Sequence, residues 1–163
     1  MESPFVKLLR MPRPTISSAW ARTSKLPFGR QVFSQLIKRM VPYSGTIGAT
    51  VLELRDGYCR AQISDRQIVR NHLRSVHAVA LMNLGELTTG LAVMHVIDGR
   101  GRGIVTSLKM EYYHKARGTI TATCETTPPS TPGRHEFEVT GELRNDSGEL
   151  VARAFATWKL ELE

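Results

Sequence analysis

The stretch from Ser75 to Ile97, SVHAVALMNLGELTTGLAVMHVI, is apolar on every side apart from one carboxylate near its middle, Glu86. It has no proline, and glycine only at 85 and 90, so its 23 residues read as a single helix. At ~1.5 Å per residue such a helix is about 35 Å long. A helix without a polar face must be buried. The length would also suit a membrane span, but Asn83, Glu86 and His95 would lie inside it, and amphipathic strand patterns follow at once. The expectation is a central helix enclosed by a sheet.

With 163 residues the chain is one domain's worth, and needs no covalent staple to hold a core. Cys59 and Cys124 each fall in a strand pattern without CxxC or Cys/His spacing. They read as free core thiols of a reducing, cytoplasmic compartment, and neither a disulfide framework nor a structural zinc is expected. The net charge of +7 resides in the first 52 residues, where Lys7, Arg10, Arg13, Arg22, Lys25, Arg30, Lys38 and Arg39 face Glu2 alone. The rest of the chain is balanced, so the globular part is not a nucleic-acid binder, and the basic character belongs to an N-terminal extension, residues 1–45.

The first 26 residues are basic, Ser-containing and almost free of acid, as in a mitochondrial presequence, although Pro4, Pro12 and Pro14 interrupt an amphipathic helix there. The alternative is a helical extension lying on the domain. From Phe28 to Val41, residues Val32, Phe33, Leu36, Ile37 and Met40 share a helical face opposite Arg30, Lys38 and Arg39. That helix can dock on the domain, close over a cavity or lie on an anionic membrane; docking is the expectation. Strands are expected at Ile47–Leu54 and Tyr58–Ser64, joined by an Asp56-Gly57 hairpin turn. Ser75 is the expected N-cap of the central helix. After a Gly-rich loop at 98–103, which lacks the spacing of a phosphate-binding loop, four strands follow at Ile104–Tyr113, Thr119–Thr126, Glu136–Arg144 and Glu149–Leu162. No helix alternates with these strands, so an α+β fold results: an antiparallel six-stranded sheet around one helix, residues 46–163.

Glu86 is the first candidate for chemistry. A carboxylate in an apolar helix is either satisfied by a neighbour or raised in pKa, which makes it a better general base. His77 stands near the helix N-terminus, whose free N–H groups suit an oxyanion. Nine residues separate the two, about 13.5 Å along a helix and half a turn around it. One helix cannot present both to a single carbonyl, so a shared substrate requires two antiparallel copies, a symmetric dimer.

The segment Asn71-His-Leu-Arg-Ser-Val-His77-Ala-Val-Ala-Leu-Met-Asn-Leu-Gly-Glu86 resembles the helix signature of hotdog-fold acyl-CoA thioesterases of the phenylacetate-degradation and 4-hydroxybenzoyl-CoA type. In that signature an Asn or Gln precedes His-Gly-Gly, and an acid follows nine positions after the His. The resemblance implies a hotdog fold acting as a homodimer or tetramer on an acyl-CoA thioester, with no cofactor beyond the CoA of the substrate and no metal. It makes Glu86 the general base or nucleophile, the N–H of Ala78 the oxyanion donor from the other subunit, His77 the organiser of that turn, and Asn71 the residue positioning the carbonyl or water. Ala78-Val79 stands in place of Gly-Gly, which narrows the approach. Gly90 stands where some members place a hydroxyl, with Thr88 and Thr89 adjacent. Arg70, Arg74, Arg100, Arg102, Lys115 and Arg117 are candidates for the CoA phosphates, the KARG turn at 115–118 first among them. The rival readings are a binding module that holds acyl-CoA without turnover and a hotdog enoyl-CoA hydratase or dehydratase.

Overall fold

The computed structural model describes residues 15–163. Two helices open it, α1 (Ile16–Thr23) and α2 (Gly29–Met40), followed by a 3-10 turn at Ser44–Ile47. Strands β1 (Thr50–Arg55) and β2 (Tyr58–Ile63) come next, then a second short turn at Gln67–Val69 and the long helix α3 (Ala78–Ile97). Strands β3 (Gly101–Tyr112), β4 (Ile120–Glu125), β5 (Gly133–Arg144) and β6 (Leu150–Leu162) complete the chain. The strands form one antiparallel sheet in the order β1-β2-β4-β5-β6-β3.

The sheet wraps α3, as an apolar helix demands. Leu84, Ala92, Val93 and Ile97 are fully buried on it, and α3 meets the small residues Ala154 and Ala156 of β6. The approach is close: a Cβ on Gly85 would lie 2.6 Å from the Ala154 methyl. The Asp56-Gly57 hairpin forms, but only Gly57 takes a positive φ (+68°) and Asp56 does not, so the turn is not the type I′ that the Asp-Gly pair suggests. Cys59 and Cys124 are buried free thiols facing each other across β2 and β4, and burial pushes Cys124 up to about 12.

Several boundaries differ from the sequence reading; β5, for one, begins at Gly133 rather than Glu136. Ile47 belongs to the 3-10 turn, so β1 begins at Thr50. Gly101 and Gly103 are not loop but the start of β3, where a Cβ on Gly101 would lie 2.4 Å from the Glu161 carbonyl oxygen. The helix starts at Ala78 rather than Ser75, because the preceding backbone is committed elsewhere. Arg70 and Val76 form a β-bridge, Val76 N–H donates to the Ala116 carbonyl, and His77 N–H to that of Val69, the last two at 2.8 Å. Ser75 is buried in that loop, and His77 is the N-cap.

The described part of the extension is docked. Trp20 of α1 packs edge-on against Phe33 of α2, ring centroids 4.9 Å apart, and Phe33 and Ile37 enter the core. The Ser17 N–H donates to Asp98 Oδ2 at the end of α3 (2.8 Å). Residues 1–14, on which much of the presequence reading falls, lie outside the described residues.

Candidate active site

Val79, Asn83, Glu86 and Gly90 recur at i, i+4, i+7 and i+11 and form one stripe along α3. The Ser44–Ile47 turn lies beside this stripe: Asn83 Nδ2 donates to the Tyr43 carbonyl (3.3 Å), and the buried Ser44 hydroxyl is near enough to the Glu86 carboxylate to favour its charged form. On the far side, a Cβ on Gly90 would lie 3.1 Å from the Trp158 ring and 3.9 Å from Glu86 Oε1. A side chain at position 90 would thus crowd both the Trp158 indole and the Glu86 carboxylate. Burial pushes the Glu86 carboxyl upward, with the Ser44 hydroxyl opposing it. Asn83 Oδ1 and Trp158 Nε1 have no hydrogen-bond partner among the described residues.

His77 caps α3 with its own ring: Nδ1 accepts from the Val79 N–H at 3.1 Å. That role requires Nδ1 to be unprotonated, which fixes the neutral ring as the Nε2–H tautomer. The Leu81 N–H is bonded to the His77 carbonyl, whereas the Ala78 N–H meets no acceptor among the described residues. Ala78 and Val79 are both exposed. Asn71 organises the entry loop. Its Oδ1 accepts from the Leu73 N–H (2.9 Å) and from the Ser75 N–H and hydroxyl (both 3.2 Å), leaving Nδ2 as its free donor group.

Two clefts flank this helix end. One, of about 300 Å³, is lined by Asn71, Ala78, Leu81, Tyr112 and Lys115; the Tyr112 hydroxyl donates to the Ala78 carbonyl at 3.1 Å. The other, of about 420 Å³, lies between Tyr43, Ile68, Val79 and Asn83, with Arg70 and His77 at its rim. Glu86 lines neither, and within one chain it stands just over two helical turns, about 12 Å, along α3 from Ala78.

The basic candidates separate into two groups. Arg70, Arg74, Lys115 and Arg117 gather at the N-terminal end of α3, where Arg70 is paired with Asp65 (2.6 Å) and Arg74 takes a left-handed φ of +56°. Arg100 and Arg102 lie beyond the other end, about 30 Å away along the helix, and Arg102 is paired with Glu161. Within one chain, those two stand far from the first four. Thr88 and Thr89 are fully buried, and their hydroxyls donate to Leu84 (2.7 Å) and Gly85 (2.9 Å) of their own helix, so neither hydroxyl faces a cleft. No group of three or more metal-ligating side chains is assembled among the described residues.

Sequence reasoning did not single out Ser44, Tyr112 or Trp158. Ser44 and Trp158 reach the Glu86 stripe only through the tertiary fold, and no local pattern marks them. Tyr112 carried a faint signal, standing three residues before the KARG turn.

The crystal structure of the protein named genomics APC5556 matches over 91% of this chain and 99% of its own, with 27% identity and a TM-score of 0.78. The Pseudomonas aeruginosa protein PA5026, described as a probable thioesterase, matches over 85% and 97% at 22% identity and TM-score 0.71. A mutant of the Staphylococcus aureus thioesterase SAV0944 matches over 74% and 99% at 19% identity and TM-score 0.66. The shared architecture is the hotdog fold. A comparison with curated proteins gives no match. The family model described as "Domain of unknown function (DUF4442)" matches residues 29–160, from the start of α2 into β6, and the chain belongs to that family.

Proposed function

We propose that this protein hydrolyses an acyl-CoA thioester, with Glu86 as general base. The observation carrying this reading is a half-buried carboxylate, raised by burial and flanked by Gly90 on its own helix, in the central helix of a hotdog fold. Glu86 takes a proton from water as the water oxygen bonds to the thioester carbon. The carbonyl becomes an oxyanion, the C–S bond breaks, and the thiolate leaves with the proton. The Ala78 N–H of a second copy receives the oxyanion, since His77 already occupies the Val79 N–H. Asn71 Nδ2 offers a further donor beside Ala78. Arg70, Arg74, Lys115 and Arg117 are placed to meet the CoA phosphates at the same end.

The unpaired edge of the sheet supports a site shared between two copies. Leu108 and Tyr112 lie on the same face of β3 as Met110, whose methyl reaches the α3 backbone at Gly85, yet they are 40% and 48% exposed. They lie on β3, an edge strand twelve residues long with one side unpaired. Such an edge needs a cover.

Thiol release from short, medium, long and aromatic acyl-CoAs, with Glu86→Ala alongside, tests the reading. Release by wild type that is lost in the variant supports it and identifies the acyl class. The exposed Val79 side chain, where the resembled signature has glycine, favours a second reading in which acyl-CoA binds without turnover. Saturable binding with no thiol released would select that one.

A further inference from the structure

Leu26, Pro27 and Phe28 form the tip of the turn between α1 and α2. The tip stands away from the core, with Leu26 57% and Phe28 78% exposed. It is held in place: the Leu26 N–H donates to Thr23 and the Gly29 N–H to Leu26, both at 2.9 Å. Gly29 sits so close that a Cβ there would lie 1.7 Å from the Thr23 carbonyl oxygen. Phe28 has φ +58°, a left-handed conformation unfavourable for a residue with a side chain. The backbone is therefore strained at a residue whose side chain is left largely in solvent. Val32, one turn along α2 on the same face, is 45% exposed.

Cations accompany this apolar tip, with Arg22, Lys25 and Arg30 beside it and Lys38 and Arg39 in the last turn of α2. Between residues 15 and 52 the chain holds Arg22, Lys25, Arg30, Lys38 and Arg39, all exposed, and not one Asp or Glu. None of the five is ion-paired among the described residues. The opposite faces of α1 and α2 are spent on the core through Ala19, Phe33 and Ile37. An apolar wedge flanked by unpaired basic side chains is complementary to a surface that is anionic outside and hydrocarbon beneath.

We propose that the α1–α2 tip docks this protein on anionic membranes, with Leu26 and Phe28 entering the acyl boundary and Arg22, Lys25 and Arg30 meeting the headgroups. The test is co-sedimentation of the full chain with phosphatidylcholine vesicles, with or without about 30 mol % phosphatidylserine. Binding is expected with the anionic vesicles only, and is weakened by salt. At about five-fold per basic residue, Arg22→Gln, Lys25→Gln and Arg30→Gln together lower partitioning by about two orders of magnitude. Leu26→Ser with Phe28→Asn removes the wedge and abolishes binding. Asn tolerates the left-handed conformation, so Phe28→Asn alone is expected to raise the melting temperature while weakening binding. Phe28→Gly provides the same contrast should the double variant fold poorly. Equal binding to neutral vesicles, no binding, retention of binding by the wedge variants, or equally tight binding to duplex DNA would each overturn the proposal. None of these readouts depends on thioester hydrolysis.

Discussion

Glu86 sets function against stability at a single residue. Burial raises its carboxyl above the ordinary value, so the folded state binds the proton more tightly than the unfolded chain does. The sign follows: the penalty is absent below the unfolded value and is imposed as pH rises through the folded one. Glu86→Gln, uncharged and nearly isosteric, should therefore melt higher than wild type near neutral pH, with the gap closing in acid. The same variant should lose about 10²- to 10⁴-fold in kcat if Glu86 is the base. Wild-type kcat/KM should fall on an acid limb lying above the usual Glu range. Thermal melts and pH–rate profiles on the two proteins check both halves. His77 offers a second contrast. Its ring nitrogen caps α3, so His77→Ala should cost about 1 kcal/mol by denaturant unfolding, whereas His77→Asn, which keeps a short acceptor, should recover most of it.

At the scale of elements, α1 is attached through a polar clasp. The Ser17 N–H and hydroxyl meet Asp98 Oδ2 and the His95 ring at 2.8 and 3.0 Å. Burial alone would raise the Asp98 carboxyl, but the hydrogen bonds from Ser17 and Thr15 and the neighbouring His95 hold it below the usual value. A depressed carboxyl stabilises at pH above its unfolded value and loses that contribution as pH falls through the folded one. Asp98→Ala should therefore release α1 first, seen as faster amide exchange at residues 16–23 with α3 unchanged. The central helix, the six strands and their grouping around it were legible in the sequence, because continuous apolarity and alternation of period two are written locally. The helix start was not. Ser75 is a good cap by type, but whether its backbone is free to begin a helix depends on Val69 and Ala116, contacts no window of sequence contains. Glu86 stood out in the same way as the helix did, as the one charge in an apolar run. Ser44, forty-two residues away, could not, nor could the separation of six plausible arginines and lysines to opposite ends of α3.

For the whole molecule, a site shared between two copies gives a test that a site within one chain fails. Ala78 is the first helical residue of α3, and the preceding His77 already has an extended ψ of 141°. Proline is tolerated at a first helical position after an extended residue, and it lacks an N–H. Ala78→Pro should thus fold like wild type yet remove the oxyanion donor, at a cost of about 10²- to 10³-fold in kcat. Glu86→Gln removes the base and leaves the donor. Each homodimer alone is then inactive. In a heterodimer of the two, one site combines both lesions, while the other pairs an intact Glu86 with an intact Ala78 N–H. If subunits exchange freely at equal concentration, half the dimers are mixed and half their sites restored, so activity should return to about one quarter of wild type. Mixing should restore nothing if base and donor act within one chain. Mutating Leu108 to Glu at the β3 edge should abolish the recovery together with the dimer, measured by sedimentation velocity, because the exposed strand then carries a charge where its partner must pack.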